Sequence, residues 1–172
     1  MIKNIFITGK PASGKTTLIM EIIKELNLDA GGFYTLEIRE DNIRKGFKII
    51  TLDKKEGILA HVNIKSPYRV SKYKVNIKDL EEIGVRSILE ALRENKIVVI
   101  DELGKQEMCS SKFRRAALVA LNSKNTVLGT IKLTPDPFTD RIRRRKNTKI
   151  FHLTRENREE IKKEIIKLLD SS

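Results

Sequence analysis

Gly9-Lys10-Pro11-Ala12-Ser13-Gly14-Lys15-Thr16 fits G-x-x-x-x-G-K-[ST] without a gap, and Thr17 follows directly. A loop of this spacing, set between a strand and a helix, turns backbone N–H groups and the positive helix end toward one anion. Lys15 is then expected at the outer phosphates of a nucleotide, and the Thr16 hydroxyl in the coordination of Mg2+. The second place where residue types imply chemistry is Ile97-Val98-Val99-Ile100-Asp101-Glu102, an apolar run that ends in two carboxylates. Ligands of parallel sheets sit beyond the carboxyl ends of the strands, so Asp101 is expected beside Thr16 as the other metal-holding group. Glu102, one residue on, points elsewhere and can take a proton from a water attacking the γ-phosphorus, which makes Lys15 and Glu102 the candidate catalytic residues.

Charge that spreads over a transferring phosphoryl group needs a counter-charge beyond Lys15 and the metal. Arg69, Lys105, Arg143, Arg144 and Arg145 are the candidates, and spacing alone does not choose among them. The three consecutive arginines follow a Pro-rich stretch and read as part of a mobile segment. His61 and His152 fall in predicted strands with no Cys or carboxylate at ligand spacing, and Cys109 has no evident His partner, so all three read as structural.

These groups need a scaffold that brings distant stretches to one edge. Residues 2 to 8 form an apolar run ending in Thr8-Gly9, which suits a buried parallel strand, and residues 16 to 26 place apolar side chains at helical spacing. Gly31-Gly32 opens a region of short β-rich runs, 33–40, 47–52 and 58–64, that reads as an antiparallel meander. Asn76 can cap a helix reaching about Glu94, with Leu80, Ile83, Ile88 and Leu92 inward. A strand over 96–100, a helix over 112–121, strands over 126–131 and 148–153 and a terminal helix over 155–169 complete the pattern. Strands alternating with helices predict an α/β fold: a mostly parallel sheet covered on both faces, with a β-meander inserted after the first helix. All 172 residues are expected to form one domain.

The formal charge of +12 is concentrated: Lys65, Arg69, Lys72, Lys74 and Lys78 occupy one acid-free stretch, and Arg141, Arg143, Arg144, Arg145, Lys146 and Lys149 another. Two compact clusters suit a small polyphosphate, and two loops converging in space would also make a groove for nucleic acid, the less favoured partner. One cysteine excludes a disulfide scaffold or a zinc module and fits a reducing, cytoplasmic setting. No apolar run approaches membrane-spanning length, so no membrane partner is expected. Abundant Lys, Glu and Ile with a single Gln and no Trp match the bias of proteins from hot environments, and an AT-rich genome would give a similar excess of Lys and Ile.

Several stretches together resemble the THEP-type nucleoside triphosphatases, the thermophilic and cancer-related nucleoside-triphosphatase family, from end to end. Gly9 to Thr17 looks like G-x-P-G-x-G-K-T-T, Gly32-Phe33-Tyr34-Thr35 like G-F-Y-T, and Val99 to Lys105 like V-I-D-E-I-G-K. Gly46-Phe47 with Thr51-Leu52, Arg69-Val70 with Tyr73 to Val75, and Glu156-Asn157-Arg158 match further stretches of the same family. Ala12 stands where the family has Gly, Ser71 replaces another Gly, and Gln106-Glu107-Met108 replaces Met-Glu-Leu. The resemblance implies a RecA-like P-loop fold and slow, Mg2+-dependent hydrolysis of ATP, GTP, CTP, UTP and similar triphosphates. Two other functions stay open on the residues themselves. One is a nucleoside or nucleotide kinase using Asp140-Arg141-Ile142-Arg143 as an arginine lid; the other is a nucleotide-gated module that binds RNA or DNA through the basic clusters.

Overall fold

The computed structural model describes residues 1–171. Nine strands form one sheet: β1 (Asn4–Thr8), β2 (Ala30–Glu40), β3 (Ile43–Thr51), β4 (Glu56–His61), β5 (Arg69–Val70), β6 (Tyr73–Val75), β7 (Ile97–Leu103), β8 (Val127–Ile131) and β9 (Thr148–His152). Their order is β5-β6-β4-β3-β2-β7-β8-β1-β9. The pairs from β2 through β7, β8 and β1 to β9 are parallel, and the pairs from β2 outward to β5 are antiparallel. The meander is thus a continuation of the sheet. Gly31 and Gly32 lie inside β2, opposite Val98 and Val99, and the strand passes from parallel to antiparallel partners at Phe33.

Strict alternation sends side chains of the central strands into two cores. Ile5, Ile7, Val99 and Leu128 face α1 (Lys15–Glu25) and α6 (Arg158–Asp170), where Leu18, Ile19, Ile22, Ile161 and Ile165 meet them. Phe6, Val98 and Ile100 face the opposite layer, which holds Ile88 and Ala91 of α3 (Arg86–Arg93) and Phe113, Ala116 and Ala120 of α4 (Ser111–Asn122). Because both faces of β1 and β8 are covered, every residue of the two strands is buried. The helix predicted from Asn76 starts as α2 (Ile77–Asp79), with the Asn76 side chain accepting from Asp79 N at 3.1 Å, and runs through a π-helical segment, Leu80–Val85, into α3.

The stretch after β8 is more ordered than its prolines suggest. Pro137 opens α5 (Pro137–Arg143), and Asp136 caps it by accepting from Phe138 N at 2.8 Å and Thr139 N at 3.0 Å. Ile142 is 1% exposed, so this segment is packed against the body rather than mobile. The two basic clusters lie at opposite edges of the sheet, one around β5 and β6 and the other around α5 and β9, and do not converge into one groove. No helix among the described residues is long and apolar enough to cross a membrane.

Candidate active site

β1 ends at Thr8, and the chain passes through residues 9 to 14 before α1 begins at Lys15. Gly14 lies at φ +91°, a conformation that glycine reaches without penalty, and aims the first turn of α1 back over the strand end. Ala12 is also left-handed at φ +60°, where its methyl group costs about 1 kcal/mol. The hydroxyls of Thr8 and Ser13 are buried without a hydrogen-bond partner, donors that an anion held in the loop would satisfy. The Lys15 ammonium donates to the carbonyls of Gly9 and Lys10, each at 3.0 Å.

β7 brings up the carboxylates. Asp101 is 3% exposed; its carboxylate accepts from the Thr16 hydroxyl on one oxygen and from Thr130 Oγ1, at 2.6 Å, on the other. Thr130 comes from β8, which lies between β1 and β7, so the middle strand helps to orient the acid that its neighbour presents. Burial raises the Asp101 carboxyl above its usual range, against the hydrogen bonds from Thr130 and Thr16 and the charge of Lys15. The Asp101–Glu102 peptide is cis. Glu102 is half-buried; burial and the Asp101 charge raise it, and the nearby ammonium groups of Lys15 and Lys132 pull it down.

Two residues at this edge were not among the candidates read from sequence. Glu107, in a short 3-10 turn at Glu107–Cys109, is 2% exposed and accepts from Glu102 N at 3.5 Å. A Cβ placed on Gly104 would lie 2.7 Å from a Glu102 carboxylate oxygen and 2.9 Å from one of Glu107, so the two acids crowd the space that glycine leaves open. Burial, followed by the charge of Glu102, pushes the Glu107 carboxyl well above the ordinary value. Lys132 follows β8 directly and is held by Asp136 at 2.7 Å. Its position at a strand's carboxyl end was the available signal.

The other basic candidates divide by location. Lys105 is exposed two residues beyond β7, at the same edge as Asp101. Arg143 bonds the carbonyl of Lys132, and Arg144 is exposed at the end of α5. Arg145 does not belong to the group. It bonds Asn122 and the Leu121 carbonyl, 3.4 Å away, and its charge, after burial, depresses Lys3 to about 8, at the start of β1 and so at the opposite end of that strand. Arg69 is exposed on β5, seven positions from β1 in the sheet, and is likewise removed from the loop. The arginines of the expected lid, Arg141 and Arg143, sit on α5, anchored through Thr139 and Ile142.

A loop able to cradle an anion thus faces an acid able to share a cation, and beside that acid stands a carboxylate able to take a proton. A family model described as NTPase matches residues 4–166. The chain is 52% identical over 165 residues to the nucleoside-triphosphatase THEP1 of Thermotoga petrophila, covering 96% of this chain and 92% of that one. It is 35% identical to the human cancer-related nucleoside-triphosphatase, over 100% and 99% of the two chains. The crystal structure of THEP1 from Aquifex aeolicus superposes with a TM-score of 0.88 at 36% identity, covering 96% of this chain and 98% of that one. The solution structure of the human protein gives 0.84 at 33% identity over 99% and 98%.

Proposed function

The chain belongs to the THEP-type nucleoside-triphosphatase family, and we propose from that premise that its site hydrolyses nucleoside 5'-triphosphates to diphosphate and phosphate, slowly, with Mg2+ and with little regard to the base. The observation that carries the reading is the meeting of Lys15 and Thr16 with Asp101 and Glu102 across the intervening strand β8. Thr16 and Asp101 would hold the ion. Both offer hard oxygen donors already in contact, and among the described residues no group of three or more His, Cys, Asp or Glu could hold a metal by itself. Mg2+ bound through one carboxylate, one hydroxyl and substrate phosphates fits that supply. When bound, the ion neutralises charge on the β- and γ-phosphate oxygens.

The remaining steps fall to the chain. Backbone N–H groups between Ala12 and Thr16 and the hydroxyl of Ser13 would receive phosphate oxygens, and Lys15 would reach the outer phosphates. Glu102 takes a proton from water as the water oxygen bonds to the γ-phosphorus and the bond to the bridging oxygen breaks, releasing diphosphate. Lys132 supplies a second ammonium near that carboxylate.

The test is incubation with Mg2+ and γ-labelled ATP, with and without nucleosides and nucleoside monophosphates, separating free phosphate from labelled acceptor. Free phosphate indifferent to acceptors, lost at least a hundredfold in Glu102→Gln while nucleotide still binds, is the expected result. Label on an acceptor would make the protein a kinase, and unchanged turnover in the variant would remove Glu102 as the base.

A further inference from the structure

We propose that the loop after β9 is the platform for the nucleoside base, and that the guanidinium of Arg155 stacks on the base without reading its edge. The inference rests on the triphosphatase reading above. With the carboxylates on β7, the anion loop above β1 and β8 between them, the γ-phosphate must point toward β7. A triphosphate lying across the loop then sends its nucleoside the other way, over the neighbour on β1's free side, which is β9.

The chain leaving β9 is seated against the root of the anion loop. Leu153 N donates to Thr8 O at 2.8 Å, and a Cβ on Gly9 would lie 2.9 Å from the Leu153 carbonyl. The loop is preformed: Asn157 Oδ1 accepts from Thr154 N at 2.7 Å, and Asn157 Nδ2 donates to the His152 carbonyl at 2.8 Å. One acceptor site and one N–H of that carboxamide are thus committed within the loop, which fixes the plane of the group. Arg158 is turned away onto Glu21 of α1. Arg155 is exposed, and among the described residues it has no hydrogen-bond or ion-pair partner, which leaves its planar face free. The groove of about 270 Å³ that begins at His152 and Asn157 runs down β9 and α6 past Lys149 and Glu164 and does not include Arg155, so the base would lie over the loop itself. Stacking on a guanidinium plane works for any base, because every base has a π-face.

The sequence has no Trp, so Arg155→Trp places a lone fluorophore on the platform. Its emission should be quenched to similar extents by Mg2+ complexes of ADP, GDP and CDP and not by inorganic tripolyphosphate. Arg155→Ala should raise KM about tenfold for each of the four common triphosphates, with no matching rise for tripolyphosphate. Arg155→Lys, which keeps the charge and loses the plane, should behave like the Ala variant. Equal quenching by tripolyphosphate, a KM effect confined to one base, or ADP bound in equilibrium dialysis without quenching would each overturn the proposal. Failure of the parent protein to release phosphate would instead overturn the hydrolysis reading, since quenching by a diphosphate requires binding alone.

Discussion

At the scale of single residues, the two buried acids of this edge differ in what they need. Asp101 has hydroxyl donors on both oxygens, whereas Glu107 is buried next to another carboxylate, and burial together with the Glu102 charge raises it well above the ordinary range. Folding thus favours the protonated form of Glu107. Its contribution to stability is complete below the unfolded value of about 4.3 and is lost as pH rises through the raised folded value. Glu107→Gln keeps the shape and removes the titration. Melted in EDTA across a pH series from acid to alkaline, the variant should gain on the parent as pH rises, by up to about 1.4 kcal/mol per pH unit. A difference that stays flat would show that Glu107 is ionised in the folded protein without cost. Sequence placed Lys15, Thr16, Asp101 and Glu102 because their spacing is tied to strand ends. Glu107 and Lys132 escaped because one acid in a short turn and one lysine after a strand look like ordinary surface charges until a fold buries them.

At the scale of elements, α5 shows how a cap can matter more than composition. Asp136 loses solvation on burial, which raises its carboxyl, but the Lys132 ammonium and the Thr139 N–H and hydroxyl outweigh this and hold it at about 2. The stabilisation is present above the unfolded value and disappears as pH falls through the folded one. At neutral pH, Asp136→Ala should cost about 1–2 kcal/mol and lower the melting temperature by several degrees, with faster amide exchange in α5. An unchanged melting temperature would mean that Ile142 alone anchors the helix. Prolines before this segment suggested a loop because they disfavour helix in the preceding residue, yet Pro137 at the first helical position is compatible with one. The π segment between α2 and α3 left no mark in the sequence, because its buried residues Leu80 and Gly84 continue to Ile88 and Ala91 at ordinary helical spacing.

At the scale of the whole molecule, the strand order decides which charges can act together. The cluster around β5 and β6 is too far along the sheet to bear on a nucleotide at β1, and at physiological salt its field is screened beyond about 8 Å. Replacing Lys65 and Lys72 by Glu should leave kcat/KM for ATP within about twofold at that salt; a tenfold loss would mean that the two edges communicate. The alternation of strands and helices was legible because the hydrophobic periods differ, but the continuous run from meander to parallel sheet was not, since pairing between β2 and β7 is a long-range contact that no local pattern encodes. One pairing also orders the protein in time. β1 carries the nucleotide loop near the N-terminus, yet its partners are residues 127–131 and 148–152. On the ribosome, the meander and β7 can assemble as they emerge, while β1 waits for the last third of the chain. The strand that carries the nucleotide loop is made well before the strands that seat it, and a nucleotide cannot stabilise a nascent chain until β8 and β9 have emerged.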